Sequence, residues 1–242
     1  SRNDLTRPCW AVLLAVEDAV SGRVKQLQIG DLVNGRYAVR GKLGSGGFAA
    51  VYEGFDRDLE RVVAIKVLHP QLGDETAVAR ADRLERFKRE AKAAARIRHP
   101  NVVTIHDIGV LDGGDQPFIV MEVLHGLDME DILRATGPIA ATELLPLYIP
   151  AVQAVGVGHA LGIVHRDLKP SNLFLTAEHR ALKVLDFGIA KDTERTNLTA
   201  TGHVVGTAAY LAPEYVLRNE VTPALDVYQL GLILAELLSG QQ

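Results

Sequence analysis

The feature that most constrains the fold is a single change in the hydrophobic pattern, which falls near residues 123–126 of the 242. Before this point the apolar residues form short runs bounded by polar or glycine-rich turns, a pattern typical of β-strands. Five such runs lie at residues 37–40, 51–53, 62–67, 102–108 and 118–123. After this point the apolar segments are longer, mainly at 144–161 and 228–238, and they favour helices. The chain therefore predicts a β-rich part followed by an α-rich part.

One helix is expected inside the β-rich part. Residues 82–98 carry apolar side chains at helical spacing, namely Leu84, Phe87, Ala91 and Ala94. Pro100 ends this pattern, because proline disfavours helix in the residue before it. We predict an α+β fold of two lobes, with a small antiparallel β-sheet and one main helix in residues 31–124 and a mainly α-helical lobe in residues 125–242. Residues 1–30 form an N-terminal leader without recognisable chemistry.

Charge and composition exclude several classes of protein. The chain has a net charge of −4, so it lacks the overall positive charge expected of a nucleic-acid-binding protein. Its one cysteine, Cys9, excludes an intramolecular disulfide and fits a reducing compartment. Residues 144–164 are uncharged and long enough to span a membrane, but Pro146 and Pro150 favour a buried helix of a large core. Since no secretory signal precedes them, a cytoplasmic protein without a membrane segment is expected.

The stretch LGSGGFAAVYEG, residues 43–54, matches a glycine-rich phosphate loop of the form GxGxxGxV except at one position. Gly44, Gly46 and Val51 fit the form, whereas Ala49 stands at the third glycine position. Taken alone, the stretch is equally consistent with an ordinary β-hairpin turn. A dinucleotide-binding loop is excluded, because the stretch lies between two strands and does not open a helix.

Lys66 interrupts a strand that is otherwise apolar on both faces, VVAIKVL at residues 62–68. A buried lysine is costly unless it is paired or meets an anionic ligand. Glu90, at the edge of the apolar stripe of the expected helix, is the obvious internal partner. Taken singly, either residue could equally be an ordinary solvated side chain.

A second cluster of polar residues follows the long apolar helix. The stretch HRDLKPSN, residues 165–172, is polar where a simple turn would need only glycine or asparagine, and LDFG follows at residues 185–188. Asp186 and Asn172 offer a carboxylate and a carboxamide oxygen, which suit Mg²⁺ that keeps water and phosphate ligands. Asp167 could then orient a hydroxyl group and accept its proton.

Together these motifs resemble a protein kinase, specifically the catalytic domain of a bacterial eukaryotic-like (Hanks-type) serine/threonine kinase. The resemblance covers roughly residues 31–240 and rests on seven motifs in the right order: GSGGFAAV, VAIK, FKREAKAAARIRHPN with Glu90, HRDLKPSN, DFG, GTAAYLAPE and LDVYQLGLILAELLSG. It implies a two-lobed kinase-like fold, ATP as the phosphate donor, and Mg²⁺, with Mn²⁺ as an alternative ion. The activity it implies is transfer of the γ-phosphate to protein hydroxyl groups.

The resemblance also assigns roles to individual residues. The catalytic positions are Asp167, Lys169, Lys66, Glu90, Asn172, Asp186 and Thr207, of which Asn172 and Asp186 hold the metal ion. The positions that contact the nucleotide are Leu43, Gly44, Ser45, Gly46, Gly47, Phe48, Val51, Ala64, Lys66, Met121, Glu122, Leu124 and Phe174. Within this set, backbone groups of Glu122 and Leu124 bind the adenine edge and Met121 is the gatekeeper. Asp226 is expected to anchor the helix that follows this aspartate to the HRD segment, residues 165–172.

The expected substrates are proteins that carry serine or threonine. Lys169-Pro170-Ser171 follows the pattern of serine/threonine kinases, and Thr207 would position a short aliphatic hydroxyl group. Arg166 precedes the catalytic aspartate, as in kinases whose activation loop is phosphorylated, so Thr199 and Thr201 are expected autophosphorylation sites, with self-association in that reaction. Otherwise these threonines are ordinary polar residues of a loop.

The sequence departs from the family pattern in two places. Ala49 adds only a methyl group at the most tolerant glycine position, so nucleotide binding is expected to survive. The given sequence ends at Gln242, directly after the expected central helix of the second lobe, so an exposed apolar patch is expected on that helix. Such a patch should leave the chain marginally stable, oligomeric or prone to aggregate. The alternative function is therefore a truncated kinase-fold module that binds nucleotide or a partner with little phosphotransfer.

Overall fold

The computed structural model describes residues 26–46, 49–69, 76–112, 116–188 and 207–241, without the side chains of Thr207 and Ala208. The described chain divides into two compact units, the first formed by residues up to 95 together with 104–125, and the second by 96–103 together with 126–241. Residues 96–103, predicted within the first lobe, group with the second unit because they pair with its chain. Val102 forms a parallel bridge to Val184, whose carbonyl accepts a hydrogen bond from Val103 N at 3.0 Å.

The first unit is built on a six-stranded antiparallel sheet. Its strands are β1 (Leu32–Val33), β2 (Tyr37–Ser45), β3 (Ala49–Asp56), β4 (Arg61–Leu68), β5 (Ile105–Val110) and β6 (Pro117–Met121), in the order β1-β2-β3-β4-β6-β5. The runs predicted at 37–40, 51–53 and 62–67 fall within β2, β3 and β4. The run predicted at 102–108 becomes a strand only from Ile105, because residues 102–103 pair with the second unit instead.

The sheet buries one face in a core of its own. Alternate residues of β2 to β4 point into it, as the two-residue period of a strand requires, for example Tyr37, Tyr52 and Ile65. Leu27 joins this core from outside the sheet, and its N–H lies 3.3 Å from the hydroxyl of Tyr52. The predicted leader, residues 1–30, therefore includes a packed segment at its end. A single apolar residue between polar neighbours has no periodicity from which this packing could be predicted.

An ion-pair cluster lies at the start of β2. The guanidinium of Arg36 donates to both carboxylate oxygens of the fully buried Asp56, at 2.7 and 2.8 Å. These bonds lower the pKa of Asp56 to about 2. The hydroxyl of Tyr37 donates to Asp107 of β5 at 2.5 Å. Strands β2 and β5 are not neighbours in the sheet order, so the sheet must curl until these two side chains meet.

One helix packs in the first unit, as predicted. Helix α1 (Ala77–Ala94) begins after Thr76, whose hydroxyl accepts from Ala79 N at 3.2 Å and so caps the first turn. It buries Phe87, Ala91 and Ala94 as the apolar stripe predicted. Arg83, and not Leu84, is the buried residue of the turn before. The helix starts and ends several residues earlier than the pattern predicted, since its ends depend on capping and not on periodicity.

The second unit combines a small sheet with the remaining helices. Its antiparallel strands are β7 (Gly126–Asp128), β8 (Leu173–Thr176) and β9 (Leu182–Val184), and its helices are α2 (Met129–Thr136), α3 (Ala141–Ala160), α4 (Pro213–Arg218) and α5 (Pro223–Ser239). Short 3₁₀ turns lie at Pro170–Asn172 and Thr207–Tyr210. The hydroxyl of Tyr148 in α3 donates to Leu230 O in α5 at 2.7 Å and joins the two long helices.

Helix α3 contains both Pro146 and Pro150 and is buried on one face only. The prediction of a helix buried in a large core thus holds for that face, whereas Leu145 and Ile149 are exposed on the other. Helix α5 likewise buries one face and leaves Val227 exposed. In the part of the chain that the structure describes, no helix combines the length and hydropathy needed to cross a bilayer.

Candidate active site

The glycine-rich stretch forms the hairpin between β2 and β3. Gly44 lies opposite Val51, Ser45 lies opposite Ala50, and Gly46 N donates to Ala49 O at 2.9 Å. Ala49 has an ordinary negative φ and pairs with Leu68 of β4, so its alanine side chain causes no backbone strain. The predicted hairpin is therefore present. Gly47 and Phe48, which were predicted to contact the nucleotide, lie outside the described residues.

The fold itself does not require glycine at position 46. A Cβ atom built on Gly46 would meet nothing within 4 Å, and its φ is not left-handed. Gly54, farther along the same hairpin, is different, because a Cβ there would lie 2.5 Å from Ile65 Cδ1. Gly54 is thus explained by packing of the sheet, whereas the open space beside Gly46 suits a ligand that comes close to the backbone.

Lys66 lies on β4 between the buried residues Ile65 and Val67, with its own side chain half-buried. Val51 is opposite it on β3, so the hairpin and the lysine share one region of the sheet. Glu90 is a half-buried residue of α1. Its predicted ion pair with Lys66 stays a prediction.

The predicted adenine-binding residues of this unit lie on and after β6 and on neighbouring strands. Ala64 is fully buried and pairs with Met121, and Leu43 and Leu124 are also buried. Two hydrogen bonds hold the segment after β6 in place. Glu122 N donates to Thr104 O at 3.0 Å, and Thr104 N donates to the Glu122 carboxylate at 2.7 Å.

The HRD segment of the second unit is held by a buried carboxylate. Asp226, in the first turn of α5, has no solvent exposure and accepts the N–H groups of His165 and Arg166, both at 2.8 Å. Its Oδ2 also lies 2.7 Å from Nε2 of His159, at the end of α3. The predicted anchoring role of Asp226 agrees with these contacts. They hold Arg166 in a left-handed conformation, with φ of 68°, which is unfavourable for a non-glycine residue.

His165 links the HRD segment to the DFG segment. Its ring is fully buried, and burial lowers its pKa, so the ring is neutral near pH 7. Nε2 faces Leu185 O at 2.7 Å and must carry the proton, which leaves Nδ1 to accept from Asp167 N at 3.3 Å. With this tautomer, the one imidazole ring binds the backbone of both Asp167 and Leu185, the residue before Asp186.

Three of the predicted catalytic side chains lie together in this unit. Asn172 Nδ2 donates to the Asp167 carbonyl at 2.6 Å and lies 3.4 Å from its carboxylate. Lys169 Nζ also lies 3.4 Å from the Asp167 carboxylate. Because Nδ2 of Asn172 is used within the loop, its Oδ1 is the atom that remains to bind a cation.

Leu185, the residue before Asp186, donates its N–H to Asn172 O at 2.9 Å. The two predicted metal ligands therefore lie on stretches of chain that are hydrogen-bonded to each other. Asp186 has a left-handed φ of 56°, a conformation retained at functional sites at some energetic cost. No group of three or more His, Cys, Asp or Glu side chains within the described residues could hold a metal ion. One carboxylate and one amide oxygen fit Mg²⁺, which keeps several waters and binds phosphates, better than a metal that needs a full protein cage.

The remaining predicted residues are divided between described and undescribed parts of the chain. Phe174 is buried in β8, opposite Asp128 and Lys183. Thr199, Thr201 and the side chain of Thr207 lie outside the described residues.

Two contacts of this site were missed by sequence reasoning. His159 binds Asp226, and Gln229 Oε1 accepts from Leu168 N at 3.1 Å. Gln229 is one turn after Asp226 on α5, so a search for polar residues at helical spacing from Asp226 could have found it. His159 has no such signal, because its partner is 67 residues away in the chain.

This chain is similar to known protein kinases. The family model of the protein kinase domain matches residues 37–242. The chain is 38% identical over 210 residues to the probable serine/threonine-protein kinase pknA2 of Bifidobacterium longum, covering 87% of this chain and 27% of that protein. It is 36% identical over 218 residues to the serine/threonine-protein kinase PknA of Mycobacterium tuberculosis, covering 89% and 49% respectively. The chain therefore spans between about a quarter and a half of the length of these relatives.

A solved structure is also similar. The kinase domain of Mycobacterium tuberculosis PknI superposes with a TM-score of 0.70 at 29% sequence identity, covering 89% of this chain and 77% of that one.

Proposed function

Because this chain belongs to the protein kinase family, as its motifs predicted, we propose that it transfers the γ-phosphate of ATP to serine or threonine hydroxyl groups of proteins. One observation carries the proposal more than any other. The carboxylate of Asp167 lies within 3.4 Å of both Lys169 Nζ and Asn172 Nδ2, in a loop whose backbone is held by the buried Asp226. This arrangement is suited to placing a base beside a hydroxyl group and a cation beside a phosphate.

The first unit supplies nucleotide-binding groups. The backbone N–H groups of the hairpin between β2 and β3 cover the phosphates, and the open space at Gly46 permits their close approach. Lys66, held by Glu90, contacts the α and β phosphates. Backbone groups of Glu122 and Leu124 bind the adenine edge. A lysine on an otherwise apolar strand supports this assignment, since a phosphate would offset the cost of burying its charge.

The second unit supplies the metal ligands and the catalytic base. Asp186 and Asn172 Oδ1 would hold Mg²⁺, which when bound would neutralise phosphate charge that develops during transfer. Asp167 orients the attacking hydroxyl group and accepts its proton, while the hydroxyl oxygen bonds to the γ-phosphorus and the bond from that phosphorus to ADP breaks. Lys169 places a positive charge beside the γ-phosphate. Asp226 and the neutral His165 keep the backbone of this loop in place.

The choice of serine and threonine over tyrosine is proposed from Lys169-Pro170-Ser171 and from Thr207, which would bind Asp167 and Lys169. Substrates are proteins, and one of them is a second copy of this chain, phosphorylated at Thr199 and Thr201. A phosphothreonine carries about −1.5 to −2 charges and can pair with Arg166 beside the catalytic base.

The test is a phosphotransfer assay with γ-labelled ATP, Mg²⁺ and a general protein substrate, followed by phosphoamino-acid analysis. Asp167→Asn should reduce transfer by about a hundredfold to ten-thousandfold, because it removes the base but leaves a side chain of the same size. Label on serine and threonine is expected. Label on tyrosine alone would contradict the proposed specificity.

The alternative, a kinase-fold module that binds nucleotide with little transfer, gives a different result in the same assay. Wild type and Asp167→Asn would then incorporate equal label, while both still bind Mg²⁺ and ATP. All catalytic positions in the sequence carry the family residue, which favours the active enzyme.

A further inference from the structure

The turn that carries Asp186 is held on several sides. On its N-terminal side, Leu185 is bound through its N–H to Asn172 O and through its carbonyl to His165 Nε2. Both Asp186 and Gly188 have left-handed φ angles of 56°. Phe187 lies between them, so a displacement of its ring that side-chain rotation does not absorb is passed to the backbone of a turn with few allowed conformations.

The buried ring of Phe187 lies against His165 and Gly158. It is 3% exposed, and its centroid lies 4.7 Å from that of the His165 ring. Gly158 of α3 provides the space on another side. A Cβ atom at position 158 would lie 2.8 Å from Phe187 Cε1 and 3.4 Å from Cζ. Two carbon atoms cannot approach to 2.8 Å, so a larger residue at position 158 requires either the Phe187 ring or helix α3 to shift.

The same helix offers a matched comparison. Gly156 lies two residues earlier in α3, and a Cβ atom there would meet nothing within 4 Å. Glycine is a poor helix former in both positions. Alanine at position 156 would therefore affect only the helix, whereas alanine at position 158 would affect the helix and the Phe187 ring.

We propose that Gly158 is a positioning residue for the metal-binding carboxylate: by leaving room for the Phe187 ring, it sets the turn on which Asp186 is carried. This inference rests on the proposed function, in which Asp186 binds Mg²⁺. Gly158 itself touches neither metal nor nucleotide. It acts through Phe187, so its replacement should weaken Mg²⁺ binding more than it weakens binding of the nucleotide alone.

The experiment compares Gly158→Ala with Gly156→Ala in the full chain. Binding of a non-hydrolysable ATP analogue is measured by calorimetry without metal and at increasing Mg²⁺ concentrations. In Gly158→Ala the Mg²⁺ concentration for half-maximal enhancement of binding should rise about tenfold, since small displacements of a ligating group have large effects. Affinity for the analogue without metal should be unchanged, and Gly156→Ala should match wild type in both measurements.

A second pair of variants tests whether the effect passes through the ring. Phe187→Leu removes the ring atoms that lie nearest to position 158. In this background Gly158→Ala should change the Mg²⁺ requirement by less than about twofold, because the two substitutions are coupled through the same contact. An equal tenfold effect in both backgrounds would overturn the proposed route.

The outcomes separate this inference from the proposed function. If wild type binds the analogue with Mg²⁺ and Gly158→Ala has the same Mg²⁺ requirement, the inference is overturned and the proposed function stands. If Gly158→Ala loses thermal stability with an unchanged Mg²⁺ requirement, the glycine is only structural and the inference is again overturned. If wild type shows no Mg²⁺-dependent binding, the proposed function fails and the inference fails with it.

Discussion

Replacement of Asp226 by asparagine should destabilise the second unit and impair the proposed catalysis. The carboxylate is fully buried and accepts three N–H groups, from His165, Arg166 and the ring of His159, at 2.7 to 2.8 Å. Asparagine has the same shape but replaces one acceptor oxygen by an NH₂ donor. In every orientation that NH₂ group faces at least one of these donors, so at least one bond is lost and one buried N–H is left unsatisfied.

The magnitude follows from these contacts. The least costly orientation turns the new NH₂ group towards Arg166 N, since Oδ1 accepts one bond and Oδ2 accepts two. Loss of a bond to a charged acceptor costs roughly 1.5–3 kcal/mol, and the two remaining bonds become weaker because their acceptor is now neutral. We expect a total loss of about 3 kcal/mol in the free energy of unfolding. In urea this corresponds to a fall in the midpoint of about 1 M.

The assay is urea unfolding followed by circular dichroism, with phosphotransfer measured in parallel. The loop that carries Asp167 should shift, so kcat should fall at least about tenfold. Glu220→Gln is the control, because it removes a carboxylate 3.6 Å from Arg218 at the surface and should change stability by less than about 0.5 kcal/mol. A loss below about 1 kcal/mol for Asp226→Asn would refute the reasoning that this carboxylate holds the loop.

Three further predictions rest on other contacts. Tyr148→Phe removes the bond to Leu230 O and should lower the free energy of unfolding by about 1 kcal/mol in urea melts, with no change in the affinity for ATP. Burial raises the pKa of Asp128 from 3.8 to about 6, so the folded state binds more protons than the unfolded state in that interval and stability should fall as pH rises through it. Asp128→Asn keeps the acceptor for Asp131 N and should abolish this pH dependence. At pH 7 its free energy of unfolding should exceed that of wild type by about 1 kcal/mol, after allowance for the partial exposure of Asp128. An unchanged pH profile of the melting temperature would count against this prediction. Gly46→Ala should leave the melting temperature unchanged and weaken ATP binding. Gly54→Ala should lower the melting temperature, because its new methyl group would collide with Ile65. Equal melting temperatures for the two variants would contradict these roles.

Much of the fold could be predicted from local pattern. The apolar runs that became β2, β3 and β4 alternate between faces or are buried on both, and the stripe of α1 buried Phe87 and Ala91 as its spacing indicated. Boundaries were predicted less well. Helix α1 starts at Ala77 because Thr76 caps it, and a cap depends on one side chain and not on a repeating pattern.

The candidate site was predicted as a set of residues, but of the residues that support it only Asp226 was predicted. Lys66, Asp167, Asn172 and Asp186 stand out because charged or polar residues interrupt apolar surroundings. The residues that support the HRD segment, such as His159, which binds Asp226, and Gln229, which binds Leu168, are ordinary polar residues of helices. They meet this segment only because α3 and α5 pack beside it.

The sequence by itself determined the order of the elements, the family and the chemical groups available for phosphate transfer, because these depend on residue type and spacing along the chain. Only the tertiary structure decided which identical residues do different things. Gly156 and Gly158 are two residues apart in one helix, yet one faces open space and the other faces the ring of Phe187. The two glycines differ only in what the folded chain brings against each of them, and contacts between distant segments leave no periodic trace in a sequence.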